Sequence, residues 1–195
     1  MLNGKCRTCH TTISLLYPFI ELLTLGTLST LYYYAPSSYF FSYFVLVSAL
    51  IVTIRSDLET MLISRYVTLF LVPFGFLFSA LGLLPINLTE SIVGCFVGFG
   101  GLYLIAYTFY RVTGKHGLGQ GDIDLLALIG SFTGIIGCWA TILIGSVTGS
   151  ILGLIYMRGI KATTPIKIPF GPFLAFGAIN YIFWQEAIAC FLLGV

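Results

Sequence analysis

The chain has 195 residues, 58% of them hydrophobic and only 8% charged, with a mean hydropathy of +1.02. A soluble domain carries about 25% charged residues, so that class is excluded, and a net charge of +2 is too weak to argue for a nucleic-acid partner. The apolar runs are near-continuous and do not alternate with period two, which excludes a β-barrel and leaves an all-α, polytopic helical membrane protein.

Taken in chain order, residues 1–14 form a short polar segment with Lys5, Arg7 and a single C-x-x-C made by Cys6 and Cys9. The rest, 15–195, reads as one membrane domain. The first apolar run is 15–34. Its polar approach is long for a signal peptide and Glu21 interrupts it, so it reads as an uncleaved span. Further spans are expected at 39–54, 66–84, 91–110, 124–139, 141–157 and 173–193. Several fall short of the ~20 residues a span usually needs. Seven spans result, with six as the alternative if 124–157 forms one span preceded by a short helix. Cys95, Cys138 and Cys190 sit singly in apolar runs, where a thiol behaves as a small hydrophobe. Glu21 is expected to face protein or water. Asn180, Gln185 and Glu186 read as interhelical partners or outer-interface residues, and His116 as a solvated loop residue.

Basic residues orient the chain. Lys5 and Arg7, Arg55 and Arg65, Arg111 and Lys115, then Arg158, Lys161 and Lys167 fall in alternate links, while the links at 35–38 and 85–90 carry none. By the positive-inside rule the basic links and the N-terminus are cytoplasmic, which works with seven spans and fails with six.

That orientation brings two acids to one membrane face. Asp57 ends the second span, and Asp122 begins the fifth, 65 positions later (57 to 122). Asp122 closes the stretch Gly117-Leu118-Gly119-Gln120-Gly121-Asp122. A dinucleotide fingerprint is excluded because the third glycine comes too early. A P-loop is excluded because Gly114-Lys115 is followed by His116. Gly119 and Gly121 let backbone approach closely and are free to take φ > 0. The plain alternatives are that Asp122 caps a helix beginning at Ile123 and that Asp57 is a boundary residue paired with Arg55. Two carboxylates sharing one water can instead cleave a peptide. One takes a proton from water while the other, protonated, donates to the scissile carbonyl, and the pair titrates as a unit.

Further residues carry a resemblance. Gly4-Lys5-Cys6-Arg7-Thr8-Cys9 with Tyr17-Pro18-Phe19-Ile20-Glu21-Leu22-Leu23-Thr24, Asp57, Gly119-Gln120-Gly121-Asp122 with Leu125-Leu126-Ala127, and Ile168-Pro169-Phe170-Gly171-Pro172-Phe173-Leu174-Ala175 follow one another as in the type IV prepilin peptidases. These are GxGD-class membrane aspartic endopeptidases, and the sequence resembles them over most of its length. The resemblance implies Asp57 and Asp122 as catalytic residues, with Gly119 and Gly121 in the loop that positions the second. It implies prepilin or pseudopilin substrates of a type IV pilus or type II secretion system, cleaved at the cytoplasmic face of the bacterial inner membrane. Many members also methylate the new N-terminus with S-adenosylmethionine. The family's four-cysteine zinc site is expected here only as a half site, Cys6 and Cys9, in an N-terminally short form. Two departures stand out: Ser64-Arg65 replaces the usual Pro-Asp, and Asp124 replaces the lysine two residues after the GxGD aspartate, setting an extra acid near Asp122.

Cys6-Arg7-Thr8-Cys9-His10 also fits the C-x-x-C-H haem pattern, but that chemistry belongs outside the cytoplasmic membrane and the flanking basic residues place this segment inside. The competing class is a small channel or transporter using its acids as an ion relay. A relay wants its acids near the midplane, whereas the peptidase reading wants them at the cytoplasmic edge.

Overall fold

The computed structural model describes residues 8, 9, 11–115, 117–159 and 169–193. Lys5, Cys6, Arg7, His10, His116, Lys161, Lys167 and Ile168 lie outside the described residues. Every regular element among the described residues is an α-helix: α1 (Leu16–Tyr34), α2 (Ser37–Thr60), α3 (Arg65–Ala80), α4 (Leu88–Thr113), α5 (Gln120–Gly159), α6 (Gly171–Phe183) and α7 (Gln185–Leu193). Of these, α2 and α4 are single helices long and apolar enough to cross a membrane, while α3 and α6 are shorter apolar helices. The chain is a multi-pass membrane protein.

Helix α5 organises the rest. It packs against α3, α4 and α6. It is not one rod, because Gly134 takes φ 70° and ψ −167°. Cys138 Sγ lies 3.9 Å from Leu126 O, twelve residues back, whereas twelve residues of straight helix would separate them by about 18 Å. The chain therefore doubles back at Gly134. Residues 120–133 run away from the Asp122 end, and 135–159 return, with Gly145 and Gly149 packed on Phe173 at the start of α6. Two spans were expected here, and the break falls at Gly134 and not between 139 and 141. A glycine in the left-handed region reverses the chain without any polar loop.

Two other boundaries differ from expectation. The run 173–193 is broken at Trp184, which closes α6 with its N–H on Asn180 O. Helix α2 continues past residue 54 to Thr60. Its last turns are supported by the Arg55–Glu59 pair at 3.5 Å and by Thr60 Oγ1 donating to Ser56 O, so Asp57 belongs to the helix and not to a link.

Small residues let α4 approach the first limb of α5. A Cβ on Gly94 would collide with Gly130 O and with the backbone of Gly134, and one on Gly98 would lie 2.6 Å from Leu126 O. Ser91 Oγ also donates to Ser131 O across this interface. Small-residue contact and interhelical hydrogen bonds are how helices adhere where lipid is as apolar as the side chains. Leu46, Leu50, Leu125, Leu126, Leu128, Ile129, Phe132 and Leu174 fill the centre with no exposure above 0%. Of the polar residues singled out, Gln185 accepts from Tyr43 Oη at 2.9 Å across helices. The Asn180 side chain donates within its own helix, to Phe176 O, and Glu21 is exposed on α1.

Candidate active site

The link from α2 to α3 is four residues long and tightly pinned. Met61 caps α2 with φ 54°, donating its N–H to Asp57 O at 2.9 Å. A left-handed non-glycine residue costs roughly 1–2 kcal/mol, so the turn is held by its surroundings. Ser56 Oγ donates to Leu62 O at 2.7 Å, and Arg65, the first residue of α3, reaches Asp124 on α5 at 2.6 Å. Asp57 faces inward from the last turn of α2. Its Oδ2 accepts the N–H of Gly171 at 3.0 Å. Gly171 opens α6, and the first N–H groups of a helix have no partner inside it; the next residue, Pro172, has none to give. A Cβ on Gly171 would stand 2.7 Å from Asp57 Oδ2 and 2.9 Å from Ile63 Cδ1, so only glycine fits between them.

Asp122 is the third residue of α5, so the helix does not begin at Ile123 and Asp122 is not its cap. Gly119 immediately precedes the helix, and the Asp122 carboxylate folds back on it, with Oδ2 3.2 Å from where a Gly119 Cβ would be. Gly121 belongs to the first turn and not to a loop, and its φ is not positive. Its need for glycine is steric: a Cβ would come within 2.7 Å of Ile63 Cβ. Ile63 thus touches Gly121 on one side and Gly171 on the other, joining the surroundings of the two acids.

The structure brings Asp57 and Asp122 together at one end of the bundle. They are 5% and 8% exposed, and Asp57 is near enough to Asp122 to act on it electrostatically. Among the described residues neither makes an ion pair. Arg55 pairs with Glu59 and lies over the Tyr17 ring at 5.1 Å, so it is not the partner of Asp57. Asp124, the extra acid, faces the other way, since residues two apart on a helix lie on different sides. It is fully buried, with Oδ2 on Arg65 Nε and Oδ1 3.4 Å from Gln120 Nε2.

Sequence reasoning missed Ile63, Gly171 and the Arg65–Asp124 pair as parts of this site. The segment around Gly171 was recognised without a role. No local signal marks Ile63. Arg65 and Asp124 were each visible as departures but not as partners. The expected half site for zinc rests on Cys6, outside the described residues. Cys9 is exposed, with Sγ 3.0 Å from Thr11 Oγ1. Among the described residues no three His, Cys, Asp or Glu side chains gather as metal ligands.

Fold and site together define a multi-pass helical membrane protein with two buried carboxylates from distant helices gathered at one end. Residues 44–156 match the model of the type IV leader peptidase family, and residues 1–35 that of the bacterial peptidase A24 N-terminal domain. The chain belongs to the type IV leader peptidase family. Relatives named prepilin leader peptidase/N-methyltransferase include one from Stutzerimonas stutzeri, 34% identical over 192 residues, covering 96% of this chain and 65% of the relative. One from Legionella pneumophila is 31% identical over 201 residues, covering 100% of this chain and 68% of the relative. The chain spans about two thirds of the length of such relatives, 64% in the case of the one from Pectobacterium carotovorum. No solved structure matches the chain.

Proposed function

We propose that this chain is a membrane aspartic endopeptidase that removes the leader peptide of type IV prepilins or pseudopilins. The reading places residues 1–14 as a cytoplasmic segment ahead of the membrane domain 15–195, and the two acids at the cytoplasmic face of the bacterial inner membrane. The observation that carries it is the meeting of Asp57 and Asp122 at one end of the bundle, both buried and without a cationic partner among the described residues. Two carboxylates so close do not both ionise easily, and they share a proton. The ionised member takes a proton from a water between them as that water attacks the scissile carbonyl carbon. The protonated member donates to the carbonyl oxygen, giving a neutral gem-diol. Its collapse breaks the C–N bond, passes a proton to the leaving nitrogen and restores one proton to the pair. Gly171 steadies Asp57, and Gly119 and Gly121 bring backbone close around Asp122.

An open and mainly apolar groove of about 1040 Å³ runs along the α2–α3 link and the start of α3, lined by Ser56, Leu62, Ile63, Arg65, Tyr66 and Phe70, among others. It suits a substrate whose cleavage point adjoins an apolar helix. The ion-relay reading is disfavoured because Asp57 lies in the last turn of α2 and Asp122 in the first turn of α5, at helix ends. The second activity in the relatives' name, with S-adenosylmethionine as methyl source, stays outside this proposal. Carboxylates among glycines and an isoleucine fit water activation and form no seat for that cofactor. The test is co-expression with a prepilin. A shift of the substrate to mature size is expected, and persistence of the full-length form with this protein abundant in the membrane would refute the reading.

A further inference from the structure

We propose that Arg65 and Asp124 are a positioning pair that sets the separation of Asp57 and Asp122 by holding Ile63 between them. The inference rests on the peptidase reading. A carboxylate with 0% exposure is costly to bury unless it is paired. Asp124 has that burial, and its cation is Arg65 at 2.6 Å, on a side chain 58% exposed. The guanidinium therefore ties the first residue of α3 to the fifth residue of α5. The sequence departures at Arg65 and Asp124 are partners of one another, 59 positions apart.

Ile63 precedes Arg65 by two residues, in the link whose other end is closed by Met61 on Asp57 O. Its side chain stands 2.7 Å from the Cβ position of Gly121 and 2.9 Å from that of Gly171. Gly121 is bonded to Asp122, and the Gly171 N–H holds Asp57. If the Arg65 tie is released, Ile63 is no longer held against either glycine, and the two acids lose their common spacer. Arg65 and Asp124 touch neither catalytic carboxylate, so they act through Ile63 and not on the reacting atoms.

The test uses the full chain in membranes with a prepilin substrate, reading kcat, KM and membrane abundance for Arg65→Glu, Asp124→Arg, the double exchange and Arg65→Lys. A displacement of about 1 Å in a catalytic group costs on the order of a hundredfold in rate. Asp124→Arg, buried away from the groove, is expected to lower kcat between about tenfold and a hundredfold at little-changed KM, and Arg65→Glu to lower kcat as far, with any change in KM reporting its place in the groove lining. Arg65→Lys should fall between them and wild type, and the double exchange should recover most of the loss. If the single variants fail to accumulate, a double exchange that accumulates and cleaves supports the pair, and one that fails as the singles do overturns it. Normal kcat in Arg65→Glu also overturns it, as does a double exchange no better than its worse parent. Asp122→Asn keeps the two claims apart. Wild type cleaving, Asp122→Asn inactive and Arg65→Glu fully active would remove the positioning pair alone, whereas a wild type that does not cleave removes both.

Discussion

Acids at both ends of the helical bundle bond to backbone at a helix start, but only at one end are two of the described acids buried with one in electrostatic reach of the other. At the end away from Asp57, Glu90 closes its own helix: Asn87 N–H donates to Glu90 Oε2 at 3.0 Å, completing a capping box at the start of α4. There Tyr43 and Gln185 also satisfy each other across helices. A cavity of about 390 Å³ opens beside them, lined by Glu90, Gly134, Tyr181 and Glu186 among others. Glu90, which lines this hollow, serves backbone already in need of a cap. At the other end three acids are buried within two short stretches. Asp124 is neutralised by Arg65, while Asp57 accepts the Gly171 N–H, Asp122 accepts the Gly119 N–H, and neither has a cationic partner among the described residues. A cavity locates space, whereas unneutralised charge held against like charge locates chemistry.

The largest effect expected is at the acid pair. Asp57→Asn and Asp122→Asn should each lower cleavage by at least on the order of a thousandfold, because members of one catalytic unit cannot substitute for each other. Both proteins should remain abundant in the membrane. Near-normal processing by either variant would remove that residue from the unit and weaken the contrast between the ends.

Next come the glycines around the pair. Gly121→Val must displace Ile63, and Gly171→Ala must displace Asp57, Ile63 or both, given approaches of 2.7 Å and 2.7–2.9 Å. Losses of about a hundredfold in cleavage are expected. Abundance should be less affected, since neither glycine sits in the close α4–α5 contact. Comparison of rate with abundance checks this, and parallel falls in both would mark the glycines as structural.

These residues also show what the sequence made legible. The meeting of Asp57 and Asp122 followed from alternating basic links and from a glycine motif at an apolar boundary, because lipid restricts where charge can lie. The reason for Gly121 was not legible. Glycine's conformational freedom pointed to a backbone reason, but the constraint is a side chain from another helix link. The turn at Gly134 was hidden for a related reason: it reverses the chain inside an apolar run, where hydropathy detects no boundary. The break at Trp184 carries no glycine or proline at all. The Arg65–Asp124 pair spans two helices, and no local periodicity reports such a contact.

The smallest expected effect tests the contrast at its other end. Glu90→Gln is the same exchange of oxygen for nitrogen as in Asp57→Asn, made at the capping end. A capping box accepts Glu or Gln at this position, so the Asn87 N–H keeps an acceptor, and both stability and cleavage should be unchanged. Glu90→Ala removes the acceptor. It should lower stability by about 0.5–1 kcal/mol, the range of a modest cap, while cleavage per folded molecule stays at the wild-type level. Thermal unfolding in detergent and the processing rate, measured on the same preparations, separate the two effects. Loss of cleavage in Glu90→Gln at normal stability would mean that this carboxylate's charge takes part in the reaction. The distinction between a capping end and a reacting end would then fail.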